Sequence, residues 1–354
     1  MPTLDVEFSS GARTRCVIEP GSLARLPELC AEVGLAGTPG LLCDSRLTLL
    51  HRDALSPLRG SFGDLLSRPV TESRKTLAEV EAMCEVLSSR GVQRDGYVVA
   101  IGGGVLIDLA GLAAALYLRG VPWVSVPSTL LAQVDAGLGG KTGANLRAGK
   151  NLLGAFHQPR LVVCDPLWLA TLPERERWSG LAEVVKCALI APGDLLERCE
   201  ATLERAAAGD AEALAPLIEG AVRVKARIVA QDEREGGMRA FLNFGHTVAH
   251  ALEAATRYTR FTHGEAVALG LRGALALTDF PDKQRAVKLV GRVRIDAAHN
   301  LYADQREAAL QAMVRDKKAR GGRVRFVVLD QLGEPRITEV SPDDCARALA
   351  EALA

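Results

Sequence analysis

The stretch Tyr97-Val98-Val99-Ala100-Ile101-Gly102-Gly103-Gly104-Val105-Leu106-Ile107-Asp108 decides how the fold is read. Its first five residues are apolar and β-prone with no polar interruption, so the pattern predicts a short strand buried on both faces. Three glycines follow, and residues 105–118 then show helical spacing. A strand that passes through bare backbone into a helix brings N–H groups and the positive helix end to one point, which suits a pyrophosphate. The pattern is not G-x-G-x-x-G, and a glycine-rich strand-to-helix turn is also an ordinary packing device. Taken alone, the motif leaves both readings open.

On either side, residues 15–19, 41–44, 123–127 and 161–164 read as further strands, with amphipathic stretches such as 77–89 between them. Alternating strands and helices predict a parallel sheet covered on both faces. From about Pro173 the pattern changes to Ala-, Leu- and Glu-rich segments at helical spacing, at 178–190, 211–235 and 247–255. Gly321-Gly322 ahead of 323–330 predicts a late hairpin. The chain has 354 residues, more than one hydrophobic core usually serves. The expected organisation is an α/β N-terminal domain over 1–170 with a Rossmann-like parallel sheet, followed by a mainly α-helical C-terminal domain over 171–354.

Composition narrows the function. Apolar residues are 48% and charged residues 24%, as in a globular protein. Lys plus Arg and Asp plus Glu both total 43, and residues 1–170 carry 16 of each. With no charge excess in either half, neither nucleic acid nor an anionic membrane is expected as a partner. No apolar run reaches the ~18 residues of a membrane span, and the start carries Asp5 and Glu7 where a signal peptide would be basic. A cytoplasmic enzyme with a small-molecule substrate is the expectation. The eight cysteines are scattered, without a C-x-x-C pair, and read as buried small residues.

Glycine is the uneven figure: 11 of 34 fall between Gly102 and Gly154. Within that span Pro127-Ser128-Thr129 leads to Asp135, then Gly139-Gly140-Lys141-Thr142-Gly143, then Gly149-Lys150-Asn151. Two lysines, an aspartate and an asparagine in bare backbone can converge on one small polyanion. Gly139-Gly140-Lys141-Thr142 looks like the end of a P-loop but lacks the earlier glycine at the required spacing, which weakens a kinase or ATPase reading.

Only six histidines occur, yet His246, His250 and His263 fall within 18 residues. In Asn243-Phe244-Gly245-His246-Thr247-Val248-Ala249-His250 the i, i+4 spacing sets two imidazoles on one helical face, which with a carboxylate makes a divalent metal site. Glu183, Glu253 and Glu265 are the candidate carboxylates. Glu183 and Lys186 share a helix face amid apolar residues. Lys225, Arg239 and Lys317 are individually equivocal, since a charged residue is usually solvated.

Together these segments resemble the 3-dehydroquinate synthase family across nearly the whole chain. The likeness rests on Gly102 to Asp108, Tyr117-Leu118-Arg119, Pro127 to Asp135, Gly139 to Asn151, Gly154-Ala155-Phe156-His157-Gln158-Pro159, Gly180 to Lys186, Asn243 to His250, His263-Gly264-Glu265-Ala266 and Asp316-Lys317-Lys318. Ile107 stands where the family has glycine, and Ser128 where threonine is usual. The resemblance implies a homodimeric lyase that uses NAD and a divalent metal, Zn2+ or Co2+, to turn 3-deoxy-D-arabino-heptulosonate 7-phosphate into 3-dehydroquinate and phosphate. Oxidation, β-elimination of phosphate, reduction, ring opening and aldol closure would follow in turn.

It further implies metal ligands Glu183, His246 and His263, with His250 left as a polar group. NAD contacts are implied for Asp44, Glu72, Lys75, Gly103, Gly104, Val105, Asp108, Ser128, Thr129, Lys141, Lys150 and Thr171. Implied catalytic residues are Lys141, Lys150, Asn151, Lys186, His250 and Arg119, the last reaching in from the partner subunit. Implied substrate contacts are Asp135, Lys225, Arg239, Asn243 and Lys317. Rival readings are another sugar phosphate cyclase, such as a 2-deoxy-scyllo-inosose or 2-epi-5-epi-valiolone synthase, and a metal-dependent polyol dehydrogenase.

Overall fold

The computed structural model of the protein describes residues 3–63, 66–191, 193–315 and 323–354. The chain divides into two compact units, Met1–Leu172 with Lys225–Arg234, and Pro173–Val224 with Glu235–Ala354. The first contains strands β1 (Thr3–Glu7), β2 (Arg13–Ile18), β3 (Pro39–Asp44), β4 (Leu66–Arg68), β5 (Tyr97–Gly102), β6 (Trp123–Pro127), β7 (Lys141–Leu146), β8 (Gly149–Phe156) and β9 (Leu161–Cys164). Seven of them form one sheet in the order β1-β2-β9-β6-β5-β3-β4. The β1–β2 pairing is antiparallel and the other neighbours run parallel. The five strands expected from the sequence all lie in this sheet.

Side chains alternate across it, as the two-residue strand period requires. Leu41, Cys43, Val99, Ile101, Val124 and Val126 pack on one face with Trp168. Leu42, Val98, Ala100 and Trp123 pack on the other with Met83, Leu106 and Ile107. The strand order reverses at β3, which has β4 on one side and β5 on the other. The crevice beyond the carboxyl ends of two such strands is where open α/β sheets bind ligands. Here those ends are Asp44 and Gly102.

Strands β7 and β8 make a separate antiparallel hairpin that lies against helix Gly104–Leu116. Bare backbone permits this approach: a Cβ on Gly111 would stand 2.5 Å from Thr142 Cγ2, and one on Gly154 would stand 2.3 Å from the Thr142 carbonyl oxygen. Part of the glycine excess is therefore steric.

The second unit is mostly helical. Helix His263–Leu275 is buried over nearly its whole length, with helices Glu174–Ile190, His246–Ala255, Lys283–Gly291 and Pro342–Ala352 packed around it. The late hairpin is present as β10 (Val324–Gln331) and β11 (Glu334–Val340). Its turn contains Gly333, at φ 82°; residues 321–322 lie outside the described residues. Helix Ala211–Gln231 belongs to the second unit as far as Val224 and to the first from Lys225 onward. Among the described residues no helix is long and apolar enough to cross a membrane.

Candidate functional site

In the first unit, β5 ends at Gly102 and Gly103 caps helix Gly104–Leu116. A Cβ on Gly103 would come within 3.3 Å of Thr129 Cγ2, so the turn is held close against the segment after β6. Ser128 N–H donates to the Gly102 carbonyl at 2.9 Å, and Thr129 Oγ1 accepts from Ala132 N–H at 3.2 Å. Ile107, the departure from the family pattern, is 1% exposed and packs into the sheet-facing core. Its side chain therefore leaves the glycine turn open.

Asp108, one position further on, faces the buried Lys75 ammonium, which reaches Asp108 Oδ2 and Asn151 Oδ1 at 2.5 Å each. Burial pushes the Asp108 carboxyl up to about 6, against the pull of Lys75. Asn151 takes a left-handed conformation at φ 55°, its N–H donating to Asn145 Oδ1 at 2.9 Å. Asn145 in turn donates to Glu72 Oε1 at 2.8 Å, and Lys150 Nζ lies 3.5 Å from the same oxygen. Glu72, Lys75, Asp108, Lys150 and Asn151, widely separated in sequence, thus form one connected network.

Asp135 sits in a single π-helical turn, Ala132–Ala136, a distortion frequent at functional sites. Gln133, fully buried, donates to the carbonyls of Pro127 and Asp165 at 3.1 Å each and so ties this turn to the ends of β6 and β9. Lys225 Nζ donates to Asp135 Oδ1 at 2.5 Å. Asp44 closes β3, caps the next helix through Arg46 N–H at 3.0 Å and pairs with the Arg46 guanidinium at 2.7 Å. Thr171 Oγ1 is 2.8 Å from His51 Nε2, and the His51 ring stacks on Trp168, centroids 4.4 Å apart. Sequence reading passed over His51, Trp168 and Gln133; scarcity of His and Trp was the only signal for the first two. Arg119 lies on an exposed turn at φ 70°, after Leu118 at φ 51°. Lys141 opens β7 and is exposed.

The second unit brings ligand atoms of Glu183, His246 and His263 within 4.8 Å of one another. Glu183 lies in the buried run of helix Glu174–Ile190. His246 opens its helix after Gly245, which takes φ 80°. His263 opens another behind a Thr262–Glu265 capping box. His246 Nε2 and His263 Nε2 lie 3.3 and 3.2 Å from Glu183 Oε1, and Lys186 forms an ion pair with Glu183 Oε2.

This carboxylate is 1% exposed, with the Lys186 ammonium on one oxygen and two imidazole nitrogens facing the other. Two imidazoles with one carboxylate are a donor set suited to Zn2+ or a similar ion. Burial alone would raise the Glu183 carboxyl, but Lys186 and then His246 hold it well below the usual range. His263 is disfavoured as a cation by burial, yet the carboxylates of Glu183 and Glu253 beside its ring outweigh this and raise it to about 10. Burial, reinforced by His246, lowers His250 to about 4.

The three carboxylates proposed from sequence have separate places. Glu183 is at the centre. Glu253 Oε1 is 3.2 Å from His263 Nδ1, on the far side of that ring from Glu183. Glu265 is taken up by the Arg175 guanidinium at 2.7 and 3.0 Å and by the N–H groups of Thr262, Asp296 and Ala297. His250 stands beside the group, 5.4 Å ring to ring from His246, without joining it. The group that could hold a cation therefore joins His246 to His263, from the next helix, and not to His250 on its own helix. Arg239 is buried, and Asn243 Nδ2 donates to Glu235 Oε1 at 3.1 Å. Lys317 lies outside the described residues.

Comparison with known proteins follows the same division. Residues 66–179 match the family model "3-dehydroquinate synthase N-terminal" and residues 180–319 match "3-dehydroquinate synthase C-terminal". The 3-dehydroquinate synthase of Salinibacter ruber is 45% identical over 340 residues, 92% of each chain, and that of Gloeobacter violaceus is 41% identical over 350, 95% of each. A crystal structure of 2-deoxy-scyllo-inosose synthase with carbaglucose-6-phosphate, NAD+ and Co2+ superposes with a TM-score of 0.87 at 25% identity, covering 99% of both chains. The 2-epi-5-epi-valiolone synthase of Streptomyces hygroscopicus, with NAD+ and Zn2+, gives 0.81 at 27%, covering 95% and 96%. Glycerol dehydrogenase of Schizosaccharomyces pombe, at 16% and a TM-score of 0.65 over 95% of this chain and 88% of its own, shares the fold. The rivals weighed from sequence are thus structural relatives, while the sequence relatives and both family models agree: the chain belongs to the 3-dehydroquinate synthase family.

Proposed function

We propose that this chain is a carbon–oxygen lyase of aromatic amino acid biosynthesis in the cytoplasm, converting 3-deoxy-D-arabino-heptulosonate 7-phosphate into 3-dehydroquinate and inorganic phosphate. The observation that carries the reading is the buried Glu183–His246–His263 group beside Lys186, in a chain of this family. Zn2+ or Co2+ fits that group, and NAD fits the switch-point residues of the first unit. When bound, the cation supplies a Lewis acid for a substrate hydroxyl and NAD supplies a hydride acceptor that is regenerated in each turnover.

The chain's own residues bind, orient and neutralise. Gly103, Gly104 and Val105 bring backbone N–H groups at a helix start to the pyrophosphate. Asp44, Ser128, Thr129 and Thr171 offer polar atoms to the rest of the dinucleotide, and Asp108 with Glu72 and Lys75 closes the network beneath it. Lys141, Lys150, Asn151, His250 and Arg119 would neutralise the departing phosphate, whose own oxygen would take the proton released in the elimination. Lysine suits this task as a compact charge with three donors. Asp135, Lys186, Lys225, Arg239, Asn243 and Lys317 hold the hydroxyls and carboxylate of the sugar acid.

Arg119 acts from a partner subunit in this reading. Support comes from the exposed Leu116, Leu118, Leu146, Leu152 and Phe156 near that turn and on the neighbouring hairpin, an apolar surface suited to a second copy. Mixing the inactive variants Arg119→Ala and Lys186→Ala should restore roughly a quarter of wild-type activity, because half of randomly mixed dimers hold one intact site. No restoration would place Arg119 in its own subunit's site. The main test incubates the protein with the heptulosonate phosphate, Zn2+ and trace NAD. Phosphate and 3-dehydroquinate should form in equal amounts with no net NADH. Stoichiometric NADH would make the chain a dehydrogenase and end the proposal.

A further inference from the structure

Both histidines of the cation group use their second ring nitrogen on an oxygen. His246 Nδ1 lies 3.3 Å from the Phe244 carbonyl, and His263 Nδ1 lies 3.2 Å from Glu253 Oε1. With Nδ1 of each ring engaged by those acceptors, Nε2 is the nitrogen that faces Glu183, and it is the one that can donate to a cation once its own proton has left. The two supports differ in kind. Phe244 gives a neutral carbonyl two residues away, whereas Glu253 gives an anion that is only 11% exposed in its side chain. Glu253 lies seven residues, about two turns, beyond His246 on the same helix face, and it reaches a ring that starts the next helix. One helix thus supplies one ligand and orients another.

We propose that Glu253 is the positioning residue of the cation group: its carboxylate fixes the ring of His263 and makes it a stronger donor toward a divalent cation. Glu265 is excluded from this role because Arg175 and three backbone N–H groups occupy it.

This inference rests on the cation reading above, and the test separates the two. Zinc dissociation constants are measured by competition with a chromophoric chelator for the wild type, Glu253→Gln and Glu253→Ala, beside the visible spectrum of the Co2+-loaded proteins and the melting temperature of the metal-free ones. Glu253→Ala should weaken zinc about 10- to 100-fold and shift the Co2+ spectrum. Glu253→Gln keeps an acceptor oxygen without the charge and should fall between; it decides the matter if the alanine variant does not fold. Zinc constants equal to the wild type in the variants that fold, whether or not metal-free melting falls, would overturn the proposal and leave Glu253 a packing residue. Absence of zinc binding by the wild type would instead overturn the cation reading itself.

Discussion

The polar residues of the first unit neutralise one another, whereas those of the second are arranged around a point. Lys75 is shared between Asp108 and Asn151, and Lys225 holds Asp135. A ligand entering there exchanges existing partners for new ones, so its net binding energy is a difference between comparable terms. Glu183 Oε1 is faced by His246 Nε2 and His263 Nε2 at 3.3 and 3.2 Å, so three potential ligand atoms stand together at one point. A cation there would meet a group already preorganised for it. On the proposed reading, the first region suits ligands that exchange partners on binding and the second suits one that stays.

The largest effect should come from removing a ligand of the second region. His263→Ala should abolish tight zinc binding and lower kcat at least about a thousandfold, on the order of 4 kcal/mol of lost charge stabilisation. NAD affinity, measured on the same protein by fluorescence titration, should stay within about twofold because its residues lie in the other cluster. Full metal occupancy in the variant would show that the ligand set is wrong. A parallel loss of NAD affinity would break the comparison by making the two regions one.

A second test strikes the geometry behind the point-like arrangement. A Cβ on Gly270 would stand 2.0 Å from the carbonyl oxygen of Gly245, the residue before His246. Gly270→Ala must therefore push apart the two helices that begin with His246 and His263. Overpacking at a backbone contact should cost about 3 kcal/mol, visible as a lower melting temperature together with weaker zinc. Loss of stability without loss of zinc affinity would mean that the histidines tolerate displacement.

Which parts were legible in the sequence follows from the same physics. Apolar runs such as 97–101 and 161–164 are buried on both sides and announce themselves, so the parallel core strands were readable. β1 is largely exposed at a sheet edge, and β4 has three residues; neither carries a continuous apolar signal. The hairpin β7–β8 was hidden because Gly143 and Gly154 look like loop residues until the two strands are seen pressed together, a Cβ on Gly143 meeting the Leu153 carbonyl oxygen and one on Gly154 that of Thr142. Helical spacing placed His246 beside His250, but spacing reports only neighbours on one element. That His263 displaces His250 depends on how two helices pack, which no single-element period encodes. Lys225 is the same case: its helix was legible, its meeting with Asp135 was not.

The smallest predicted effect sharpens the idea that the first region is exchangeable. Burial pushes the Asp108 carboxyl from its ordinary 3.8 up to about 6. The folded chain therefore binds this proton more tightly than the unfolded chain, and between about pH 4 and 6 its stability falls as pH rises. A shift of this size corresponds to about 3 kcal/mol, which partial exposure of the carboxylate reduces to about 2. Asp108→Asn removes the titration, so urea unfolding of wild type and variant without cofactor, from pH 4 to 7, should show the variant gaining about 2 kcal/mol relative to wild type as pH rises. A difference that stays constant would mean that Lys75 neutralises Asp108 at every pH. Lys75, Asp108 and Asn151 would then be a permanent ion-pair structure, no more exchangeable than the group around Glu183, and the contrast between the two regions would not hold.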